Sequence, residues 1–438
     1  MLKALDKFAK DFIEKTESKE ICVITHYDTD GISSAAIIVK VLQRLKKKFS
    51  LKTVKALEEP IINELPKDKV LFFLDLASNS FHHLRKLHTL IFIIDHHEIN
   101  SEIPENVIIL NPHMFNEEEI SSAGLCYLFA KNLDERNIDL SHLAVIGMVG
   151  DMLEKNIHRT YNEIIKDSEI KIKKGIILYP ATRPVDKVLE YSSEVFISGV
   201  TGSNIGANNF LRDIGIGRIN GRNKSIIELD EGELSKLITA ITLNRIDSRD
   251  SSELIGNIYL INFFNKLEDA REISAMINAC SRNGESGTAV AFCLQNKKAR
   301  ERATKLHAEN KQNIIKALNV IPNLEKIEDK NYLIINAEDK IKDTIIGTIA
   351  SILSNSRNYE EGKAIIAMAY NANKIKVSAR MVGKSGKNIR EVLNSVIEIV
   401  GGEVGGHQAA AGCLIEKHKE REFIEELKKK LEVELVKF

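Results

Sequence analysis

Four short apolar runs, each followed at once by acidic or histidine residues, constrain the fold of this 438-residue chain more than any other feature. Residues 21–25, 70–74 and 90–94 are predicted to be strands, and a fourth run ends at Asp151. Uninterrupted apolar runs are typical of strands that are buried on both faces of a parallel sheet. The carboxyl ends of such strands border the crevice where open α/β sheets bind ligands. The pattern predicts an α/β fold with a mainly parallel N-terminal sheet and a polar site at the ends of its strands.

The residues that follow the four runs have side chains that bind hard metal ions. They are His26, Asp28 and Asp30 after the first run, Asp75 after the second, Asp95, His96 and His97 after the third, and Asp151 after the fourth. One Asp after a strand is commonly a turn residue or a helix N-cap. Two adjacent His residues, taken alone, are more often surface or core residues than ligands. A turn or surface role would have to apply independently at all four positions, whereas a single metal site explains all of them together. The joint pattern therefore favours a metal site.

The ligand types narrow the choice of metal. Carboxylates and imidazoles without thiolates suit Mn²⁺ or Mg²⁺ better than structural zinc. None of the five cysteines stands in a paired spacing that would predict a zinc ribbon or a redox pair. The carboxylates carry more negative charge than one divalent ion balances. We therefore expect two ions bridged by a carboxylate, an arrangement that hydrolyses phosphate esters and anhydrides.

These residues also resemble the motifs of the DHH phosphoesterase superfamily, which is named after the triplet that stands here at Asp95-His96-His97. Near the C-terminus, a second set of residues resembles the DHH-associated domain that grips substrate phosphates. That set is Ser378, Arg380, Gly405, Gly406 and His407. Within the superfamily the chain resembles the archaeal RecJ-like nucleases, which associate with the GINS complex. The chain length, the form His26-Tyr27-Asp28 of the first motif and the segment 279–284 support this closer resemblance.

The chain departs from bacterial RecJ in two respects. The first motif of bacterial RecJ starts with Asp, whereas this chain has His26, as family II pyrophosphatases do. Because both ligand types suit Mn²⁺, we expect an altered first metal site rather than a lost one. The appended OB-type domain of bacterial RecJ is not expected in this sequence, which argues against processive action on long strands.

The resemblance implies a role for each residue of the first four motifs. The ligands of one ion would be His26, Asp28 and Asp75, and those of the other would be Asp30, Asp75, His96 and Asp151. Asp75 would bridge the two ions. Asp95 would orient His96 from behind, as carboxylates often do for a ligating imidazole. His97 would lie nearest the substrate phosphate and stabilise the charge that develops on it.

The resemblance also assigns the C-terminal residues to the substrate. Arg380 and His407 would reach the scissile or a neighbouring phosphate, since the guanidinium fork pairs well with phosphate oxygens. Ser378 belongs to the same motif, and the pair Gly405-Gly406 permits a close approach of the backbone to a ligand.

The activity that the resemblance implies is a Mn²⁺- or Mg²⁺-dependent exonuclease. It would remove nucleotides from one end of single-stranded DNA, RNA or both, in DNA replication or repair. We favour the 5′→3′ direction, and a 3′→5′ RNA exonuclease stays open. Two alternatives remain: a hydrolase of short oligonucleotides or small phosphoesters, which His26 slightly favours, and a replisome component whose main role is to bind GINS.

The length of the chain predicts two or three domains. We expect a DHH domain over residues 1–190, a helical connecting region over 191–325 and a smaller α/β DHH-associated domain over 326–438. The 62 acidic and 62 basic residues neither favour nor exclude a nucleic-acid binder. No apolar stretch approaches about 18 residues, so we expect no membrane span and a cytoplasmic protein. The abundance of Lys, Glu and Ile fits heat adaptation and an AT-rich coding bias alike.

Two further segments have open interpretations. The segment 199–206 resembles a phosphate loop but lacks the Gly-Lys-Ser/Thr ending, which favours a structural turn. A run of cations on a polar helix is either a solvated face, the more common case, or a stripe that guides a nucleic-acid strand. Its members are Lys297, Lys298, Arg300, Arg302 and Lys305.

Overall fold

The fold is of the α/β class that the apolar runs predict, as seen in a computed structural model that describes residues 2–115, 119–155, 157–192, 195, 197–244, 254–355, 359–383 and 385–432. The chain divides into two compact units. One is Met1–Thr182 with Gly256–His307, and the other is Arg183–Ile255 with Ala308–Phe438. Within the described residues, no helix is both long enough and apolar enough to cross a membrane.

A five-stranded parallel sheet organises the first unit. Its strands are β1 (Ile21–His26), β2 (Phe49–Val54), β3 (Val70–Leu74), β4 (Ile91–Ile94) and β5 (Val107–Leu110). They lie in the order β2-β1-β3-β4-β5. Successive side chains of a strand point to opposite faces of a sheet. Phe72 and Leu74 therefore join one buried apolar cluster, while Leu71 and Phe73 join another, which explains why β3 reads as an unbroken apolar run.

Seven helices of the first unit precede, separate or follow these strands along the chain. They are α1 (Leu2–Lys15), α2 (Thr29–Arg44), α3 (Glu59–Asn63), α4 (Phe81–Leu84), α5 (Ser122–Leu133), α6 (Ser141–Gly150) and α7 (Arg159–Asp167), and β6 (Lys171–Ile176) follows them. Helix α2 begins at Thr29 because Asp28 caps it, accepting a hydrogen bond from the Gly31 amide. Asp30 consequently lies in the first helical turn rather than in a loop.

The apolar run before Asp151 is a helix, unlike the strands that precede the other ligands. It forms α6, which packs against α2 and α5 and buries most of its residues. A helix that is apolar all round is buried all round, and a short apolar run does not distinguish such a helix from a buried strand. Asp151 is the C-cap residue of α6.

The middle of the chain is mainly helical, as expected. Its elements are α8 (Val185–Glu190), α9 (Asn204–Asp213), β7 (Arg218–Ile219), β8 (Arg222–Asn223), α10 (Glu231–Asn244), β9 (Ile255–Phe263), β10 (Lys266–Asp269), α11 (Ala270–Arg282), α12 (Ser286–Cys293) and α13 (Lys297–Val320). In the first unit, β9 lies between β10 and β6. The segment 199–206 forms a tight turn into α9, since a Cβ on Gly206 would lie 1.7 Å from the carbonyl oxygen of Gly199.

A six-stranded mixed sheet forms the core of the second unit. Its strands are β11 (Lys326–Glu328), β12 (Tyr332–Asn336), β13 (Ala364–Asn371), β14 (Lys374–Met381), β15 (Glu403–His407) and β16 (Ala410–Glu416), and its helices are α14 (Asp343–Ser354), α15 (Ile389–Val400) and α16 (Glu420–Glu432). The strand order is β11-β12-β13-β14-β16-β15, and β12 pairs with β13 in parallel. Ile334 and Ile366 face one buried cluster, and Ile335 and Ile365 face the other.

Candidate metal centre

Parallel pairing brings the ends of β1, β3 and β4 to one edge of the five-stranded sheet. Thr25, Leu74 and Ile94 stand in register across these strands. Each is followed by a polar residue at the same edge. These residues are His26, Asp75 and Asp95. The sheet therefore places three of the predicted site residues side by side.

The first group of candidate ligands consists of His26, Asp28 and Asp75, whose ligand atoms all lie within 4.8 Å of one another. Nδ1 of His26 is 2.9 Å from Oδ2 of Asp28 and 3.5 Å from Oδ2 of Asp75. The other oxygen of Asp28 accepts the hydrogen bond from the Gly31 amide at 3.0 Å. The N-cap of α2 thus holds a carboxylate that points its second oxygen at His26.

The second group consists of Asp30, His96 and Asp151, with ligand atoms again within 4.8 Å of one another. Nε2 of His96 lies 3.4 Å from Oδ2 of Asp151 and 3.4 Å from Oδ1 of Asp75. One oxygen of Asp75 therefore faces each group. This is the position that a bridging carboxylate requires.

Asp75 has an unusual backbone conformation. Its φ is +60°, in the left-handed region that Asp and Asn enter more readily than most residues. The residue is 2% exposed, and Oγ of Ser122 donates to its Oδ1 at 3.1 Å. Such backbone outliers cost about 1–3 kcal/mol each and cluster at functional sites. The fold thus holds this carboxylate between the two groups at a conformational cost.

The first turn of α5 anchors Asp30. The amides of Ser122 and Ala123 donate to its two carboxylate oxygens at 2.7 and 3.0 Å. The positive end of a helix favours an anion at this place. Gly147 of α6 packs against the same carboxylate, since a Cβ there would lie 2.4 Å from Oδ1 of Asp30 and 2.5 Å from Cβ of Ala123. Residue 147 has to be glycine to leave room for the carboxylate.

Asp95 orients the ring of His97, not the ring of His96 as expected. Its Oδ1 lies 2.7 Å from Nδ1 of His97 and accepts the amides of His96 and His97 at 2.8 and 3.3 Å. Its Oδ2 accepts the amide of Ser78 at 2.9 Å. Asp95 is fully buried, whereas the side chain of His97 is 47% exposed. The pair therefore presents an oriented imidazole at the surface of the site.

A polar network that the sequence analysis missed holds the Asp-His-His triplet. Asn111 follows β5, is fully buried, and donates to Oγ of Ser78 at 3.1 Å and to the carbonyl oxygen of His97 at 2.9 Å. Its Oδ1 accepts the amide of His113 at 3.0 Å. Nε2 of His113 lies 3.0 Å from the carbonyl oxygen of His96. A signal was present in the sequence, because Asn111 also follows an apolar run.

The crowded charges shift the pKa values of the candidate ligands. Burial raises the pKa of Asp30 and of Asp151, and nearby carboxylates raise both further. Burial opposes the charged forms of His26 and His96, but their carboxylate partners outweigh it and raise these pKa values to about 10 and about 9. Burial favours a higher pKa for Asp75, yet the two imidazoles lower it. Without cations the site retains protons that bound cations would displace.

The donor atoms fit divalent cations. Oδ2 of Asp75 and Oδ2 of Asp151 are buried and accept no hydrogen bond of normal geometry from the described residues, although Nδ1 of His26 and Nε2 of His96 lie 3.5 and 3.4 Å from them. A buried carboxylate oxygen with such loose contacts is costly unless a cation pairs with it closely. Carboxylate and imidazole donors without thiolates are ligands that Mn²⁺ and Mg²⁺ accept. The residues present therefore suit the metals that the sequence predicted.

The residues predicted to bind substrate phosphate lie on two strands of the second unit. They are Ser378 and Arg380 on β14, and Gly405, Gly406 and His407 on β15. Strand β16 lies between these two strands. Ala410 of β16 is paired with Arg380 on one side and with His407 on the other. Arg380 and His407 therefore lie at the same level of the sheet, one on each side of Ala410.

Arg380 is a half-buried cation held by neutral groups. Its Nε donates to Oγ of Ser351 at 3.1 Å and its Nη1 to the carbonyl oxygen of Ala379 at 2.9 Å. Burial lowers its pKa, and no carboxylate of the described residues pairs with it. Gly347 of α14 lies beside it, since a Cβ there would be 3.3 Å from Oγ of Ser378 and 3.8 Å from Nη2 of Arg380. A half-buried guanidinium without a carboxylate partner suits an anion.

The run of cations on α13 is partly neutralised. Arg300 pairs with Glu268 and lies 4.6 Å from the ring centre of Phe264, and Arg302 pairs with Glu285. Carboxylates within the fold thus compete with any phosphate for these two cations. These pairings favour the interpretation of the cationic side of α13 as a solvated surface over its interpretation as a stripe that guides a nucleic-acid strand.

Comparisons with known domains and proteins cover most of the chain. Residues 20–150 match the DHH family, N-terminal domain, residues 178–258 match the DHH-CID domain, and residues 329–433 match the DHHA1 domain. The uncharacterized protein MJ0831 of Methanocaldococcus jannaschii is 32% identical over 446 residues, which cover 97% of this chain and 96% of that protein.

Two solved structures share the fold over nearly the whole chain. Exonuclease RecJ bound to manganese has a TM-score of 0.63 and 16% identity, covering 98% of this chain and 95% of that one. CDC45 from Entamoeba histolytica has a TM-score of 0.65 and 13% identity, covering 99% and 98%. At such identities the likeness shows a common fold.

Proposed function

Since the chain is a RecJ-like member of the DHH phosphoesterase superfamily, we propose that it is a metal-dependent exonuclease of single-stranded nucleic acid. Membership supports hydrolysis of a phosphoester with divalent metal. The substrate, the direction of cleavage and the number of ions are the proposed parts. One observation carries the proposal: two groups of ligands meet at the buried carboxylate of Asp75.

The proposed cofactor is a pair of Mn²⁺ or Mg²⁺ ions. The residues that would hold them are His26, Asp28 and Asp75 for one ion, and Asp30, His96 and Asp151, with Asp75 again, for the other. When bound, such a pair activates water and neutralises charge on the attacking and leaving oxygens of a phosphate. Asp75 would have to serve both ions, which fits its exclusion from solvent and its two differently directed oxygens.

Side chains of each unit would bind phosphate groups of the substrate. Nδ1 of His97 is occupied by Asp95, so its Nε2 is the atom that would donate to a non-bridging phosphate oxygen and stabilise developing charge. Asn111 holds the carbonyl group of His97 and so limits movement of the imidazole. Arg380 would bind a substrate phosphate through the part of its fork that faces neither Ser351 nor Ala379.

The proposed substrate is a single strand of DNA, RNA or both, shortened from one end, with 5′→3′ as the favoured direction and replication or repair as the setting. A time course on a long strand labelled at its 5′ end tests this, in DNA and RNA versions, with Mn²⁺ or EDTA. We expect immediate Mn²⁺-dependent release of the labelled mononucleotide. A ladder of progressively shorter products that still carry the 5′ label would instead indicate cleavage in the 3′→5′ direction.

Two variants make this assay specific. Asp75→Asn is expected to abolish the release, and Glu105→Gln, a change at an exposed residue away from the ligands, is expected to preserve it. If neither strand is cut but dinucleotides are hydrolysed, the small-phosphoester alternative replaces the exonuclease. If no phosphoester is hydrolysed with Mn²⁺, the proposed activity is wrong.

A second candidate function is that of a replisome component, which the fold shared with CDC45 supports. The proposed partner is the GINS complex. Sedimentation of the chain with purified GINS tests this role separately from catalysis. The Asp75→Asn variant is expected to bind GINS as the unaltered protein does, because the changed atom is buried inside the first unit.

A further inference from the structure

A cavity of about 680 Å³, widely open to solvent, lies beside the Asp-His-His triplet of the first unit. One wall is the segment 98–103, which directly follows the Asp-His-His triplet, and the other contains His113 and Met114. Ligand pockets commonly measure roughly 300–1,000 Å³, so this cavity has the size of a small-molecule site. None of the roles assigned above uses it.

Two connections place the cavity next to the proposed phosphate site. Glu98 follows His97 in the chain, so their Cα atoms are about 3.8 Å apart. On the opposite wall, Nε2 of His113 bonds to the carbonyl oxygen of His96 at 3.0 Å. The group attached to a phosphate at His97 would therefore reach the mouth of the cavity.

The lining selects for a neutral group with hydrogen-bond donors. Ile99, Ile103 and Met114 provide apolar surface, and Met114 is 44% exposed. The carboxylate of Glu102 is paired with Arg85 at 3.0 Å, whereas Glu98 offers a second carboxylate at the end nearest the triplet. No Lys or Arg of the described chain is among the lining residues, so a second phosphate would face the Glu98 carboxylate without a lining cation to pair with.

We propose that this cavity binds the nucleoside attached to the phosphate at His97 and so selects the terminal nucleotide. The base packs on the side chains of Ile99, Ile103 and Met114, and the Glu98 carboxylate accepts a hydrogen bond from a sugar hydroxyl or a base amino group. This inference rests on the proposed function, because that function places a nucleotide phosphate at His97.

Two variants with matched controls test the cavity. Ser101→Trp fills it, and Glu98→Gln removes the negative charge while keeping the shape. Ser18→Trp and Glu105→Gln make the same changes at exposed residues of the first unit that do not line it. Each protein is compared by calorimetry, with Mn²⁺ present, for binding of adenosine monophosphate and of inorganic phosphate.

We expect Ser101→Trp to weaken binding of adenosine monophosphate about tenfold or more, with a smaller loss in Glu98→Gln and no change for inorganic phosphate. Equal effects on both ligands, or no effect on either, would overturn the nucleoside site. An equal loss of adenosine monophosphate binding in the control variant Ser18→Trp would also overturn the nucleoside site.

A kinetic experiment distinguishes failure of the proposed nucleoside site from failure of the proposed activity. The substrates are thymidine 5′-(p-nitrophenyl phosphate), its 3′ isomer and bis(p-nitrophenyl) phosphate, which has no nucleoside. Ser101→Trp is expected to raise KM for one thymidine ester about tenfold or more and to leave the nucleoside-free diester nearly unchanged. If the unaltered protein hydrolyses none of the three, the labelled strand alone decides the proposed activity, and the binding comparison still decides the cavity.

Discussion

Gly147 tests how the metal centre is built, because one added methyl group has two opposing effects there. Ala is a better helix former than Gly by about 0.5–1 kcal/mol. In α6, however, the new Cβ would lie 2.4 Å from Oδ1 of Asp30 and 2.5 Å from Cβ of Ala123. Both contacts are buried, so either α6 or the carboxylate has to move.

The magnitudes favour the steric effect. Overpacking of a buried site typically costs about 1–3 kcal/mol, which leaves Gly147→Ala less stable by up to about 2.5 kcal/mol after the gain in helix propensity. Movement of Asp30 also breaks its hydrogen bonds to the first turn of α5. Disturbing the groups that hold a metal ligand commonly costs about 10–100-fold in affinity, so we expect Mn²⁺ binding to weaken by about tenfold or more.

Gly287→Ala in α12 is the matched control, since a Cβ there meets nothing within 4 Å. It is expected to gain up to about 1 kcal/mol in stability and to bind Mn²⁺ normally. Because the chain contains no Trp, urea unfolding is followed by far-UV circular dichroism in EDTA, and Mn²⁺ affinity is measured by calorimetry. The reasoning is refuted if Gly147→Ala unfolds at the same midpoint as Gly287→Ala and binds Mn²⁺ with unaltered affinity.

Three other predictions concern charge and shape. Asp75→Asn is expected to keep the fold, because Asn tolerates positive φ, and to lower kcat/KM for bis(p-nitrophenyl) phosphate more than Asp28→Asn does; equal losses would contradict the bridge. Mn²⁺ affinity is expected to rise from about pH 6 to about pH 9, because His26 and His96 hold protons below their raised pKa values and must release them; calorimetry in buffers of different ionisation enthalpy measures the protons. Arg380→Lys is expected to raise KM for single strands at constant Mn²⁺ affinity, since Lys lacks the fork; a loss of Mn²⁺ would contradict its assignment to substrate.

Much of the candidate site could be predicted from local patterns in the sequence. A buried parallel strand has to be apolar on both faces, so the polar residue at its end stands out, as Asp75 does after β3. Ligand chemistry is likewise a property of residue type, which is why carboxylates and imidazoles without thiolates indicate Mn²⁺ or Mg²⁺ from the sequence alone. Strand ends and ligand types are local features, so both can be recognised in the amino-acid sequence.

Tertiary packing decided the rest, because it joins residues that are far apart in the chain. The sequence alone did not show that α6 is a helix, that the amides of α5 hold Asp30, or that Gly147 makes room for that carboxylate. It also did not show that Asp95 holds His97 or that Asn111 supports the triplet. These contacts depend on how helices and strands approach one another in space. No local period of apolar and polar residues encodes that approach.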